Sequence, residues 1–227
     1  MLERMRADFE EEKKYTMKDL ANEMKPHFIC NVLDMLRIKA EQMHMIDFAM
    51  CIVRITQYFR YTIMSTQSET TLMNEIQEAQ NYIELVNAMR ENEVEYHLSL
   101  DEWTELNADE TKVPRMILQP LIDNAIRHGL KGKEHPLIMV GVRFREGVLT
   151  IDVEDNGEGI KEEDMEKINE ALRGGTPISG QHRHIGIRNV AMRLKSPNGE
   201  DGNLSYVTTP GSGTIFSVVL HLDSKSK

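Results

Sequence analysis

The sequence predicts an α+β protein, in which an N-terminal helical hairpin is followed by an α/β sandwich whose mixed sheet carries helices on one face. The first 68 residues hold no glycine and one proline, and their apolar residues recur at helical spacing. The rest of the chain alternates amphipathic helices with segments in which every second residue is apolar, which is typical of strands. We therefore expect two domains, over residues 1–68 and 69–227.

Composition places the chain among ordinary globular proteins and excludes several classes of partner. It has 227 residues, of which 40% are hydrophobic and 28% are charged, and its formal net charge is −10. Nucleic-acid binding needs a clustered basic face, so this balance argues against it. No apolar run approaches the ~20 residues of a membrane span, and no signal peptide is evident. Cys30 and Cys51 form no CxxC pair, which suits a reducing compartment.

Two long helices account for the first domain. Over residues 3–43, apolar residues recur at steps of three and four, as at Phe28, Val32 and Met35, and residues 47–64 repeat this pattern. A hairpin with so much apolar surface is not stable alone, and four helices from two chains make the simplest bundle. We therefore expect a homodimer.

The second domain begins with an amphipathic helix over residues 71–93. Strict alternation of apolar residues then predicts strands over 94–100, 138–144 and 149–153. Residues 214–220, TIFSVVL, are expected to form the last strand. Helical segments are expected between the strands, at roughly 115–130, 161–173 and 186–195. We expect an acidic loop over residues 101–110 and a turn over residues 196–202.

Four short motifs occur in this domain, namely MILQPLIDNAIRHGL (116–130), VEDNGEGI (153–160), HIGIRNVAMRL (184–194) and GSGTIFSV (211–218). Each alone is common, since a DNG triplet is usually a β-turn. In this order they resemble the GHKL (Bergerat-fold) ATP-binding domain shared by sensor histidine kinases, type II topoisomerases and Hsp90. PHFICNVLDML, at residues 26–36, resembles the phosphoacceptor helix of LytS/YesM-type sensor histidine kinases.

The resemblance covers almost the whole chain and implies the cytoplasmic kinase core of a two-component sensor. Such a core autophosphorylates a histidine, here His27, from Mg²⁺-ATP as a homodimer. It then passes the phosphoryl group to an aspartate on the receiver domain of a response regulator. Relatives of this kind are usually anchored by an N-terminal membrane sensor, so we expect membrane attachment only through a missing N-terminal sensor region.

Two side chains in the motifs suit a nucleotide. Asn124 offers a neutral amide oxygen, and Mg²⁺ takes oxygen ligands while it keeps waters and phosphate oxygens, so one protein ligand suffices. Asp155 ends a strand at a glycine turn, where a buried carboxylate can accept a hydrogen bond from the exocyclic amine of adenine. That contact selects ATP over GTP.

Three glycines are expected to let the backbone approach the nucleotide. Gly157 and Gly159 have no Cβ to keep the chain away from the base. Gly186 lies where a lid over residues 171–183 enters a helix, and helix N-termini offer free N–H groups to phosphate. Residues His182, Arg183 and His184 add polar or positive groups to this lid.

Two further residues are candidates for the same site. The resemblance implies that the hydroxyl of Thr214 lies near the Asp155 carboxylate. His128 follows Asn124 by four residues and shares its side of the helix, so phosphate contact and a capping or surface role are equally expected.

The nucleophile is predicted from what the second domain lacks. The ATP hydrolases of the family place a water-activating glutamate four residues before the asparagine, where this chain has Pro120. Without that general base, rapid hydrolysis by water is not expected. The γ-phosphate must therefore pass to another nucleophile, and His27 is the candidate, because a neutral imidazole has a free lone pair near pH 7.

The surroundings of His27 leave its general base open. The next residue is Phe28 rather than an acid, and helical spacing offers Glu23 and Asn31 on the same face. We expect Asn31 to position the ring. Pro26 removes a helical hydrogen bond directly before His27, and we expect the resulting bend to present the histidine to an ATP-binding domain.

Two other functions fit parts of the sequence. A GHKL protein serine kinase of the anti-sigma type has the same ATP module, although the PHF-containing helix argues against it. A dimeric scaffold that binds ATP without catalysis is the other alternative, since His184 stands where the lid motif more often begins with glycine.

Overall fold

The computed structural model describes residues 27–64, 67–90, 92–173, 185–195 and 202–222. The chain divides into two compact units, Met1–Thr66 and Gln67–Lys227. Several sequence predictions lie outside the described residues: the bend at Pro26, the position of Glu23, and the lid residues His182, Arg183 and His184.

Two helices form the described part of the first unit. Helix α1 covers residues 27–42, and α2 covers Ile46–Phe59 and continues as a π-helical turn over Arg60–Met64. The turn between α1 and α2 is closed by the N–H of Met45, which donates to the carbonyl of Ala40 at 2.9 Å. The hairpin predicted from the apolar spacing is confirmed over residues 27–64, and residues 3–26 of its predicted first helix lie outside the described part of the chain.

The first unit has a small internal core and a large exposed apolar surface. Ala40, Ala49 and Ile52 form its buried cluster. By contrast, Phe28 and Met35 are 66% and 62% exposed, and Phe48 on α2 is 55% exposed. Exposed side chains of this size are typical of interaction surfaces. The predicted dimer would cover them, and it stays a prediction.

The second unit contains a five-stranded mixed sheet with the order β2-β4-β5-β7-β6. The strands are β2 (Glu95–Leu100), β4 (Leu137–Arg145), β5 (Val148–Asp155), β6 (Gly202–Thr209) and β7 (Gly213–His221). Strands β2 and β4 are parallel, and the other neighbours are antiparallel. Along β5 every second residue is buried, as the alternation predicted. The mixed sheet is therefore confirmed.

Helices complete the core of this unit. They are α3 (Leu72–Asn87), α4 (Glu102–Asn107), α5 (Gln119–Asn124), α6 (Glu162–Arg173) and α7 (Ile185–Leu194). Buried residues of four of these helices, α3, α5, α6 and α7, join those of the strands in one continuous apolar cluster. A separate two-stranded pair, β1 (Glu69–Thr71) with β3 (Lys112–Pro114), brings the start of α3 beside the chain that leads into α5.

Three local predictions need correction. The acidic loop expected over residues 101–110 contains α4, because the Asp101 carboxylate accepts the N–H of Thr104 at 2.9 Å and caps a helix. The helix expected from residue 115 begins only at Gln119, after a turn in which Met116 has φ of 59°. Strand β6 was not predicted, because this edge strand buries only one of its residues, Leu204.

Among the described helices, none is long and apolar enough to cross a membrane.

Candidate functional site

The Asp155 carboxylate lies buried at the end of β5, only 5% exposed. Its Oδ1 accepts the N–H of Gly157 at 2.9 Å. Burial raises the pKa of Asp155, and hydrogen bonds from the backbone N–H groups of Gly157 and Thr214 oppose this rise. A buried carboxylate with spare acceptor capacity suits a ligand that brings its own N–H donor.

The chain crosses itself closely at this carboxylate. A Cβ at Gly129 would stand 2.6 Å from Oδ1 of Asp155, and a Cβ at Gly157 would collide with the carbonyl oxygen of Gly129. The N–H of Glu158 donates to that same carbonyl at 3.1 Å. The close approach that requires glycine at 157 is thus to the chain's own backbone, and Gly129, which the motif analysis passed over, is its partner.

Strand β6 holds the far end of the glycine turn. Gly159 has φ of 75°, and a Cβ there would stand 2.6 Å from the carbonyl oxygen of Thr209. The Thr208 hydroxyl accepts the N–H of Ile160 at 2.8 Å. It also lies 3.1 Å from the hydroxyl of Thr214. The Thr214 hydroxyl therefore contacts Thr208, while its backbone N–H faces Asp155.

Asn156 is another residue that sequence analysis missed. Its Oδ1 accepts the N–H of Leu137 at 2.9 Å, and its Nδ2 donates to the carbonyl of His135 at 2.8 Å. The side chain thereby ties the turn after β5 to the start of β4. Its position in the DNG triplet was a usable signal, because asparagine in turns commonly bonds nearby backbone.

Asn124 ends α5 and is followed by a π-helical turn over Ala125–Gly129. The N–H of Leu130 closes this turn on the carbonyl of Ala125 at 2.9 Å. Single π turns are frequent at functional sites. This one carries the exposed His128 and delivers Gly129 to the Asp155 carboxylate.

A polar network fixes the side of α5 that faces α3. The Tyr82 hydroxyl donates to Oδ1 of Asp123, and Nε of Arg127 donates to the same oxygen at 2.9 Å. The hydrogen bond that Arg127 donates to Asp123 raises the pKa of Arg127. The Asp123 carboxylate therefore accepts hydrogen bonds from both Tyr82 and Arg127.

Helix α7 starts beside α5. A Cβ at Gly186 would stand 3.3 Å from Cβ of Pro120, so the second residue of α7 packs against the first turn of α5. Glycine at this position permits the close approach of the two helices. Pro120 contacts α7 at this point, and its side chain has no group that could act as a general base.

The first unit carries the other pair of candidate residues. His27 is exposed on α1, and the Asn31 side-chain amide lies 3.3 Å from Nδ1 of its ring. This spacing of four residues brings both side chains to one face of the helix, as the sequence analysis expected.

The structure groups the candidate residues in two places. One cluster joins Asp155, Gly157, Gly159 and Thr214 at the ends of β5 and β7. In the same unit, Asn124, His128 and Gly186 lie on the segments around α5 and α7. His27 and Asn31 belong to the other unit.

The residues of the second unit fit a nucleotide better than a resident metal ion. Within the described ranges, no group of three or more His, Cys, Asp or Glu side chains is placed to hold a metal. The buried Asp155 carboxylate in its glycine turn offers a hydrogen-bond acceptor instead. Asn124 would supply one oxygen to a cation that arrives with phosphates.

Comparison with known proteins agrees with this geometry. Residues 108–224 match the family described as histidine kinase-, DNA gyrase B- and HSP90-like ATPase. Residues 15–94 match the family described as histidine kinase.

Two curated relatives and one solved structure extend the comparison. The chain is 25% identical over 217 residues to the sensor protein LytS of Staphylococcus epidermidis, covering 93% of this chain and 34% of the relative. It is 26% identical over 211 residues to LytS of Bacillus anthracis, covering 90% and 33%. The chain thus spans about a third of the length of these relatives.

The solved structure is the histidine kinase domain of the Erythrobacter litoralis EL346 blue-light activated histidine kinase. It aligns with a TM-score of 0.51 and 15% identity over 92% of this chain and 95% of that chain. At this identity the likeness concerns the fold.

Proposed function

We propose that this chain, which belongs to the family of histidine kinase-, DNA gyrase B- and HSP90-like ATPases, is a LytS-like sensor histidine kinase. In this proposal it transfers the γ-phosphoryl group of Mg²⁺-ATP to His27. The observation that carries this proposal is the exposed His27 ring with the Asn31 amide at its Nδ1, on the same chain as the buried Asp155 carboxylate.

Recognition of the base is assigned to Asp155. Its second oxygen would accept a hydrogen bond from the exocyclic amine of adenine, while the N–H groups of Gly157 and Thr214 hold the carboxylate in place. Guanine presents a carbonyl oxygen at the corresponding position, which a carboxylate repels. The site therefore favours ATP over GTP.

The phosphates are assigned to the elements around α5 and α7. The Asn124 amide oxygen would bind Mg²⁺, which neutralises charge on the phosphates when it is present. The start of α7 at Gly186 offers backbone N–H groups to phosphate oxygens, and His128 lies one turn beyond Asn124. Pro120 supplies no base for water, so hydrolysis should stay slow compared with transfer to histidine.

The His27 ring acts as nucleophile through Nε2. When the amide of Asn31 turns its oxygen to Nδ1, it accepts the Nδ1–H and leaves the Nε2 lone pair free. The new bond joins Nε2 to the γ-phosphorus, and the bond from that phosphorus to the β–γ bridging oxygen breaks, releasing ADP. The Nδ1 proton then passes to a base or to water.

The rest of the proposal concerns partners. A receiver domain of a response regulator would accept the phosphoryl group on an aspartate. Two chains would pair through the exposed apolar faces of α1 and α2 to form a four-helix bundle. In a longer protein, a sensor region N-terminal to these helices would attach the kinase to the membrane.

The test is incubation with γ-labelled ATP and Mg²⁺, followed by acid and alkali treatment of the labelled protein. Phosphohistidine loses its label in acid and keeps it in alkali. We expect His27→Gln to lose the label while it still binds ATP by calorimetry. A label that survives this substitution refutes His27 as the acceptor, and acid-stable label on a partner's serine indicates a serine kinase. ATP binding without any transfer indicates a scaffold.

A further inference from the structure

Residues 115–118 form the turn that leads into α5, and other helices hold this turn on both sides. Helix α5 has no side-chain N-cap of its own, since Leu118 occupies that position and makes no capping hydrogen bond. The N–H groups of Met116, Ile117 and Leu118, in the turn before the helix, need acceptors because a backbone donor that is buried without a partner is costly. These acceptors come from a distant part of the sequence.

Glu75 of α3 supplies these acceptors. Its Oε1 accepts the N–H of Met116 at 2.6 Å, and its Oε2 accepts those of Ile117 and Leu118 at 3.0 and 3.2 Å. Glu75 is only 2% exposed. Three backbone N–H donors thus satisfy a buried carboxyl group that would be costly to bury without partners.

Arg193 of α7 holds the opposite side of the same turn. Its guanidinium donates to the carbonyls of Arg115 and Met116 at 2.8 and 3.2 Å. Met116, which both Glu75 and Arg193 contact through its backbone, has φ of 59°, a left-handed conformation that is unfavourable for a residue other than glycine. Such a conformation persists only when surrounding contacts over-determine it, and the two charged side chains provide those contacts.

We propose that Glu75 and Arg193 are positioning residues for the phosphate end of the nucleotide site. They fix the start of α5, and the six residues of that helix carry the placement to Asn124 at its other end. The Asp155 carboxylate is set separately, by the register of β5 with β7 and by Gly157. This inference rests on the proposed function, because it assigns the phosphates to the Asn124 side.

The separation of the two ends gives a specific test. Mg²⁺-ATP uses both ends of the site, whereas adenosine uses only the base-binding end. We expect Glu75→Gln to weaken Mg²⁺-ATP binding about tenfold and adenosine binding less than twofold, because the new amide group points N–H at N–H donors. Calorimetry measures the first ligand and NMR titration the second. Glu105→Gln is the control, because it makes the same change at an exposed glutamate of α4, and we expect it to change neither affinity.

Arg193→Met provides a second variant that should fold in any case, since Arg193 is exposed. We expect it to weaken Mg²⁺-ATP binding several-fold and to leave adenosine binding unchanged. If Arg193→Met leaves Mg²⁺-ATP affinity unchanged, or if either variant weakens both ligands equally, the positioning role is overturned. The positioning role is also overturned if the wild-type protein binds adenosine as tightly as it binds Mg²⁺-ATP. Failure of the wild type to bind either ligand instead refutes the proposed function, and this inference with it.

Discussion

The hydroxyl groups of Thr208 and Thr214 lie 3.1 Å apart on paired strands, and the Thr208 hydroxyl also accepts the N–H of Ile160. This contact fastens the glycine turn after Asp155 to the β6–β7 hairpin. Thr208→Val keeps the shape but leaves the Ile160 N–H without its acceptor. We expect a loss of about 1–3 kcal/mol in the free energy of unfolding, measured by urea denaturation. Thr208→Ser keeps a hydroxyl group and should retain most of the wild-type free energy of unfolding. If the valine variant is as stable as the wild type, the hydroxyl is dispensable.

Gly129 should be as important for nucleotide binding as the glycines of the DNG turn. An alanine Cβ would stand 2.6 Å from Oδ1 of Asp155, so Gly129→Ala must displace the carboxylate. We expect about 1–3 kcal/mol of destabilisation and at least a tenfold loss of ADP affinity. Gly141→Ala is the control, because a Cβ there meets no atom within 4 Å. If both alanine variants bind ADP like the wild type, the backbone crossing does not shape the site.

Ionised Asp155 should lower stability and support binding at the same time. Its pKa is raised by burial, so the folded protein holds this proton more tightly than the unfolded chain, and stability falls as pH rises through the raised pKa. Asp155→Asn removes the buried charge. The variant should therefore gain thermal stability relative to the wild type near neutral pH, and this gain should shrink as the pH approaches the ordinary aspartate pKa of 3.8.

The same substitution, Asp155→Asn, should lower the affinity for ADP although it raises stability. Wild-type affinity for ADP should decline as the pH falls through the raised pKa of Asp155. A protonated carboxyl group is a weaker acceptor than a carboxylate for the hydrogen bond from the adenine amine. Asp155→Asn should bind at least tenfold more weakly at neutral pH, without this decline. Calorimetric titrations over a pH series give both curves, and tight binding by the variant would exclude Asp155 from base recognition.

Asn31 should act on the rate of phosphoryl transfer rather than on nucleotide binding. Asn31→Ala frees the His27 ring to rotate, and we expect the autophosphorylation rate to drop about tenfold with unchanged ADP affinity. Asn31→Asp keeps an oxygen that accepts the Nδ1–H and should retain more activity than the alanine variant. The reverse order would mean that the amide nitrogen, 3.3 Å from Nδ1, is the group that matters.

The exposed face of the hairpin should mediate dimer formation. Phe48 is 55% exposed, and Phe48→Glu places a charge in the proposed bundle contact. We expect sedimentation equilibrium to show dissociation of the variant at concentrations at which the wild type is dimeric. Gln42→Glu adds the same charge at another exposed hairpin position and should leave the dimer intact. A monomeric wild type would remove the bundle from the proposal.

Local patterns predicted much of the fold. Alternation of apolar residues located β4 and β5, because the side chains of a strand that is buried on one face point to that face at every second residue. It missed β6, an edge strand with little to bury, and it missed α4, whose capping residue Asp101 was counted as part of an acidic loop. The nucleotide motifs were found because their glycines and polar residues are close together in sequence.

The sequence by itself indicated the two-part organisation, the family and the candidate residues that we propose for the nucleotide and for the phosphoryl group. The tertiary structure alone decided how those residues are held. Glu75 reaches Met116 across 41 residues, and Gly129 meets the Asp155 carboxylate across the sheet edge. Helical and strand periodicities relate only residues within one element, so a contact between elements becomes visible only when burial of the common core brings those elements together.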